Sequence, residues 1–197
     1  MKADDAIAMR GYTIQKIFEI GKLSVHFSFT KPRDMPTVSV TDWFVYPDYT
    51  NYHGPSSLGQ VFRFAELLRT QAAGADKTNS VCVHADRFDW QRTNTLFLLC
   101  AFQVLELGTP LEVAILSVHP FLAACPSFRT EGAGQCDDHI EMVHCLRGLK
   151  RAQCLGWLDN FDWREYERRE DPSEGDLCWV IPGRLLAMAG PLKRGDP

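Results

Sequence analysis

The sequence predicts an α/β domain on two observations: short β-branched runs with period-2 alternation, and longer segments whose apolar residues recur at helical spacing behind a capping residue. In "KLSVHFSF", Leu23, Val25, Phe27 and Phe29 alternate with polar or smaller residues, the pattern of a half-buried strand, and "TVSVTDWFVY" supplies a second candidate. "TKPRDMP" between them reads as a turn. After the aromatic loop "YPDYTNYHGPSS", Leu58, Val61, Phe62, Ala65 and Leu68 share one helical face, with Ser56 or Ser57 as N-cap and an end near Gly74.

"SVCVH" (80–84) is a short strand followed by a polar loop and the apolar stretch Leu96 to Leu107, so the order is strand, loop, central helix. A strand feeding a loop at a helix N-terminus is where α/β proteins hold anions. "TPLE" (109–112) reads as a capping box with Pro110 at the first helical position, opening a helix to about Val118. In "DDHIEMVHCLRGLKRAQ", Asp138 is the expected cap, Glu141 follows three residues on, and Met142, Leu146 and Leu149 line one face. The acidic "DWREYERREDPSEGD" precedes "LCWVIPGRLLAMAGP", a strand, a Pro-Gly turn and a second strand.

Composition excludes several classes. With 45% hydrophobic and 23% charged residues the chain of 197 residues is globular, not disordered. Its net charge of −4 gives no general attraction to nucleic acid or to an anionic membrane. Gln103 and Glu106 interrupt the longest apolar stretch, which falls short of the roughly 20 residues that cross a bilayer. Asp4 and Asp5 sit where a signal peptide would carry positive charge. Seven cysteines form no Cys-x-x-Cys pair, which points to a reduced, intracellular protein. Among Cys136, His139, His144 and Cys145, the two histidines are five apart and share no helical face, so no metal site is expected.

Three segments carry a resemblance. "VHADRFDWQRTNTLFLLCAFQVLELGTPLEVA", "HCLRGLKRAQCLGWLDNFDWREYER" and "GDLCWVIPGRLLAMAGP" are similar to successive stretches of the N-terminal domain and interdomain linker of the cell-division-cycle-fourteen family of dual-specificity protein phosphatases. The similarity runs from about Trp43 to the end and is strongest from Val81 onward. It implies a protein-tyrosine/dual-specificity-phosphatase-like fold, a central mixed sheet flanked by helices. In that family two such domains stand in tandem and only the C-terminal one keeps the catalytic loop. The implied organisation is a pseudo-catalytic domain over 1–158, an acidic linker helix over 159–176 and, over 177–197, the first hairpin of a truncated catalytic domain.

The residues themselves show what chemistry is missing. Cleavage of a phosphate monoester by this mechanism needs a low-pKa Cys, a loop of backbone N–H groups ending in Arg, and an Asp that protonates the leaving group. After the strand the motif should read His, Cys, any five residues, Arg; here His84 is followed by Ala85, and Gln91 stands in the Arg position with Arg92 one residue late. Asp86 or Asp89 as an aspartyl nucleophile would need a metal site that the spacing does not supply. The general acid, three residues before Pro55, would be Tyr52; Asp48 lies too far ahead of Pro55 for that role. No catalytic residue and no cofactor is therefore expected, and the chain alone should be inactive. Arg87 and Arg92 either bind phosphate or pair with Asp86 and Asp89.

A positive function is expected of the carboxylates Glu165, Glu167, Glu170, Asp171, Glu174 and Asp176, offset by Arg164, Arg168 and Arg169. The resemblance implies that this linker contributes an acidic groove favouring basic residues after the phosphosite; the alternative is a solvated helix of Glu–Arg pairs. Implied partners are phosphoproteins with basic residues near the phosphosite, the C-terminal catalytic domain and, as one option, a second copy of the chain. The implied location is nucleus or cytoplasm, with centrosome or spindle. A competing reading is a stand-alone pseudophosphatase that binds phosphopeptides or acts as a scaffold.

Overall fold

The computed structural model describes residues 14–40, 43, 54–74, 80–85, 88–129, 139–181, 183–188 and 190. The chain divides into two compact units, Met1–Arg151 and Ala152–Pro197.

The first unit is built on a four-stranded mixed sheet: β1 (Gln15–Ile20), β2 (Leu23–Ser28), β3 (Thr37–Ser39) and β4 (Ser80–His84), in the spatial order β1-β2-β4-β3. β1 is antiparallel to β2, while β2 and β3 both run parallel to β4. The hairpin β1–β2 closes over Gly21 and Lys22, with Gly21 at φ 58, a conformation that a Cβ would strain. β4 is central, so its residues Val81 to His84 are all buried and the run is apolar without alternation. The period-2 reading that begins at Leu23 does not include β1. Of the second predicted strand, only Thr37–Ser39 is a strand among the described residues.

Helix α1 (Leu58–Ala73) follows, capped as the sequence indicates. The Ser57 hydroxyl accepts from the Gln60 N–H at 3.3 Å, the Gln60 side chain accepts from the Ser57 N–H at 3.0 Å, and Gly74 is the C-cap. The buried face is Val61, Phe64, Ala65 and Leu68, so Phe64 takes the core position that the helical spacing assigned to Phe62. Helix α2 (Asp89–Leu105) is buried from Thr93 through Val104 without a break, the mark of a central helix. Helix α3 (Leu111–Leu122) starts one residue later and ends four residues later than predicted. Pro110 is extended (φ −55, ψ 140) and acts as the cap position, with no side-chain hydrogen bond, so the predicted capping box at Thr109 does not form. Phe27, Phe29 and Phe121 meet edge to face at 4.9–5.5 Å between centroids, joining β2 to α3. Each such buried ring contributes roughly 1.5–3 kcal/mol.

A short pair, β5 (Phe128–Arg129) and β6 (His139–Ile140), leads to α4 (Met142–Cys154). Because His139 and Ile140 are in a strand, this helix begins four residues after the predicted cap Asp138, which lies outside the described residues. His144 Nδ1 accepts from the Glu141 N–H at 3.3 Å and closes the helix start instead. The buried face is Met142, Leu146 and Leu149, as the periodicity requires.

The second unit holds α5 (Trp163–Glu170), a 3₁₀ turn at Pro172–Glu174, and the antiparallel pair β7 (Leu177–Ile181) and β8 (Leu185–Met188). The hairpin reading of "LCWVIPGRLLAMAGP" is thus realised, with Gly183 at φ 68 in its turn.

Candidate functional site

The strand-loop-helix site lies at the carboxyl ends of the parallel strands, where open α/β sheets place their ligands. His84 ends β4, and the Ala85 N–H donates to the Ser28 carbonyl at 3.3 Å, extending the ladder by one residue. Ala85 is fully buried and carries no nucleophilic atom. At the helix start Phe88 has no side-chain acceptor, and Gln91 folds back so that its Oε1 accepts from the Phe88 N–H at 3.2 Å. The residue in the Arg position therefore caps the helix and engages an amide that an anion would need. Arg92 Nη1 lies 2.6 Å from Asp89 Oδ1, and its guanidinium sits 4.8 Å from the centre of the Phe29 ring. Its charge is spent on a neighbour and an aromatic face. Asp86, Arg87 and Tyr52, and likewise Asp48, lie outside the described residues.

Asn94 organises this region, and the sequence reading missed it. Fully buried in α2, it accepts from the Ser56 hydroxyl at 2.9 Å and donates Nδ2–H to the Gly54 carbonyl at 3.0 Å. These bonds tie the segment ahead of α1, which includes Pro55, to the first turns of α2. The available signal was the polar run Thr93-Asn94-Thr95 on a helix that is otherwise buried and apolar, since a buried amide must be bonded.

No activated thiol lies near this loop among the described residues. Cys125 comes closest in environment, held beside Thr93, Arg92 and Asp89, yet burial pushes its thiol up to about 12. Burial alone does the same to Cys82 and Cys100. All three are the opposite of a low-pKa nucleophile. Of the residues weighed for a metal, His139 lies in β6, His144 in α4, and Cys136 outside the described residues.

In the second unit the acidic segment separates into two groups. Asp162 caps α5 by accepting from the Arg164 and Glu165 N–H groups at 3.0 and 3.2 Å. Glu165 accepts from Arg168 at 2.9 and 3.0 Å and from Arg169 at 2.6 Å, which holds its carboxyl down at about 2. Arg168 reaches on to Glu174 at 2.7 Å. Asp171 accepts from the Ser173 N–H at 2.8 Å and hydroxyl at 2.6 Å, which lowers its pKa. Glu165, Asp171 and Glu174 are thus neutralised or used in turns.

Glu170 behaves differently. Burial raises its pKa above the usual carboxylate range, a hydrogen bond from Tyr166 offsets part of that, and the nearby charges of Glu167 and Asp176 raise it further. Tyr166 itself lies 3.4 Å from Cys178 Sγ on β7, and burial pushes its phenol up. Asp176 is placed by a tight reversal, Gly175 at φ 110 and Asp176 at φ 47, whose N–H donates to the Asp171 carbonyl at 3.2 Å. The charges of Glu167 and Asp176 thus both reach Glu170.

A mixed sheet whose central parallel strand passes through a short loop into a buried helix defines a phosphatase-like α/β domain. A family profile described as "Dual specificity protein phosphatase, N-terminal half" matches residues 18–152, and the chain belongs to that family. Among its relatives, the dual specificity protein phosphatase CDC14AB of Danio rerio is 32% identical over 157 residues, covering 78% of this chain and 26% of the relative. The dual specificity protein phosphatases CDC14A of Mus musculus and Homo sapiens are each 31% identical over 186 residues, covering 88% of this chain and 30% and 31% of the relatives. The chain spans about a quarter to a third of the length of these relatives.

Proposed function

We propose that this chain acts as the substrate-selecting and stabilising N-terminal half of a dual-specificity protein phosphatase, beside a C-terminal catalytic half that cleaves Ser, Thr and Tyr phosphates. In this reading residues 1–158 are the pseudo-catalytic domain, 159–176 the acidic linker, and 177–197 the opening hairpin of the catalytic part. Val180, Leu185, Leu186 and Met188 on that hairpin are exposed, and a two-stranded unit of this kind gains stability from further strands. The protein would work in nucleus or cytoplasm, at centrosome or spindle.

The observation that supports the selecting role is the convergence of Glu167, Glu170 and Asp176. The half-buried Glu170 lies within the field of Glu167 and of the exposed Asp176, and a Lys or Arg side chain of a substrate docking beside Glu170 would offset that negative charge. The phosphopeptide-module alternative draws no support from the described residues of the strand-loop-helix site, because Gln91 engages the Phe88 amide and Asp89 pairs with Arg92.

The test is peptide binding by the chain. Phosphoserine peptides with Lys after the phosphosite should bind several-fold tighter than Ala-substituted ones, with the difference shrinking at high salt and vanishing in Glu167→Lys. Affinity that follows the phosphate, is lost in Arg92→Ala and ignores Glu167→Lys would overturn the reading.

A further inference from the structure

The second unit contains a cleft of about 170 Å³ whose lining includes the aromatic residues Trp157, Phe161, Tyr166 and Trp179, with Leu177 and Asn160 beside them. The Phe161 and Tyr166 rings are tilted against each other at 5.2 Å. The volume is comparable to the engineered cavity of about 150 Å³ that takes up benzene, so one compact head group fits. Aromatic faces present negative charge to whatever lies between them, and they select cations that shed water cheaply.

Charge on the lining points the same way. Asp159, Asp162 and Glu165 border the cleft against a single cation, Arg169. An anionic ligand is therefore repelled. Two of the three carboxylates are already occupied with hydrogen bonds, Glu165 by Arg168 and Arg169, and Asp162 by the first amides of α5. A bare ammonium, which needs several acceptors to replace its water, finds few here. A methylated ammonium carries little hydration and needs only the aromatic faces and one nearby negative charge, which Asp159 supplies.

We propose that this cleft is a binding site for a quaternary or methylated ammonium group, presented by a methyllysine side chain of a partner peptide. It is built from other residues than the group Glu167, Glu170 and Asp176, so it does not rest on the function proposed above. Trp157 and Phe161 come from the chain between α4 and α5, Tyr166 from α5 and Trp179 from β7, so the walls exist only when α5 and the hairpin fold together.

The probe is a short peptide carrying trimethyllysine, titrated calorimetrically into the full chain beside two controls: the same peptide with unmodified lysine, and one with the uncharged isostere in which carbon replaces the nitrogen. Trimethyllysine should bind roughly tenfold tighter than the uncharged isostere, and also tighter than lysine. Trp157→Ala and Trp179→Ala should each weaken it about tenfold, while the exposed Asp159→Asn weakens it several-fold with an unchanged circular dichroism spectrum. Arg169→Gln, which removes the competing cation, should tighten it. Equal binding of the uncharged isostere, tighter binding of plain lysine, no binding of any peptide, or indifference to both Asp159→Asn and Trp157→Phe would each overturn the proposal. Those last two variants keep the test decisive if Trp179→Ala unfolds the unit.

Discussion

Replacing Asn94 by Ala tests the idea that one buried amide holds the segment ahead of α1 against the start of α2. Two well-formed bonds are lost, 2.9 Å from Ser56 and 3.0 Å to Gly54, at a residue with no solvent exposure. Each such bond contributes about 1 kcal/mol net, and the Ser56 hydroxyl left in the interior without this acceptor adds a desolvation cost of about 1–3 kcal/mol. The variant should therefore lose about 3–5 kcal/mol, which at about 2–4 °C per kcal/mol for a chain of this size lowers Tm by about 6–20 °C. Urea titration and thermal melts followed by circular dichroism read this out. Ser56→Ala alone should cost about 1 kcal/mol, and the double variant should be less destabilised than the sum, with a coupling of about 0.5–2 kcal/mol. A loss below about 0.5 kcal/mol for Asn94→Ala, or strict additivity with Ser56→Ala, would refute the reasoning.

Two further predictions concern the strand-loop-helix site and the second unit. Ala85→Cys should release no nitrophenol from para-nitrophenyl phosphate above background, because Ala85 is fully buried, burial raises a thiol pKa, and Gln91 cannot hold phosphate oxygens as Arg would; a burst in stopped-flow absorbance would refute this. The stability of the second unit should depend on pH in two opposed steps. Glu170 has a raised pKa, so its protonation adds stability as pH falls through that value, and the gain is lost as pH rises through it. Glu165 is held at about 2, so the stability from its pairing is fully present above its ordinary value of 4.5 and is lost as pH falls from there toward about 2. Urea midpoints measured by tryptophan fluorescence should show a rise on mild acidification and then a fall, with Glu170→Gln removing the rise and leaving the fall.

Much of the fold was legible because its signals are local. Ser57, Gln60 and Gly74 bound α1 through contacts within a few residues, and the Pro-Gly turn announces the final hairpin. The misses share a different cause. Phe64 takes the core position instead of Phe62 because a helix turns its face toward whatever it packs on, and the period alone does not identify that side. The helix starts at Met142 and not directly behind the predicted cap Asp138, because His139 and Ile140 pair with Phe128 and Arg129, a long-range claim that overrides a good capping residue.

The sequence alone predicted an α/β domain and, through a resemblance, its phosphatase type, and it placed Ala85 and Gln91 behind the strand Ser80–His84, since residue identity and order are all that the order of strand, loop and helix requires. The tertiary structure decided what those residues and their neighbours do: Gln91 caps a helix, Arg92 joins Asp89 and the Phe29 ring, and Asn94 ties the segment ahead of α1 to α2. It also divided six carboxylates into three held by Arg and Ser donors, Glu165, Asp171 and Glu174, and a second set in which the charges of Glu167 and Asp176 act on the half-buried Glu170. A carboxylate's charge state depends on its burial and on which charges fold to within a few ångströms of it, and neither is written in the spacing of the chain.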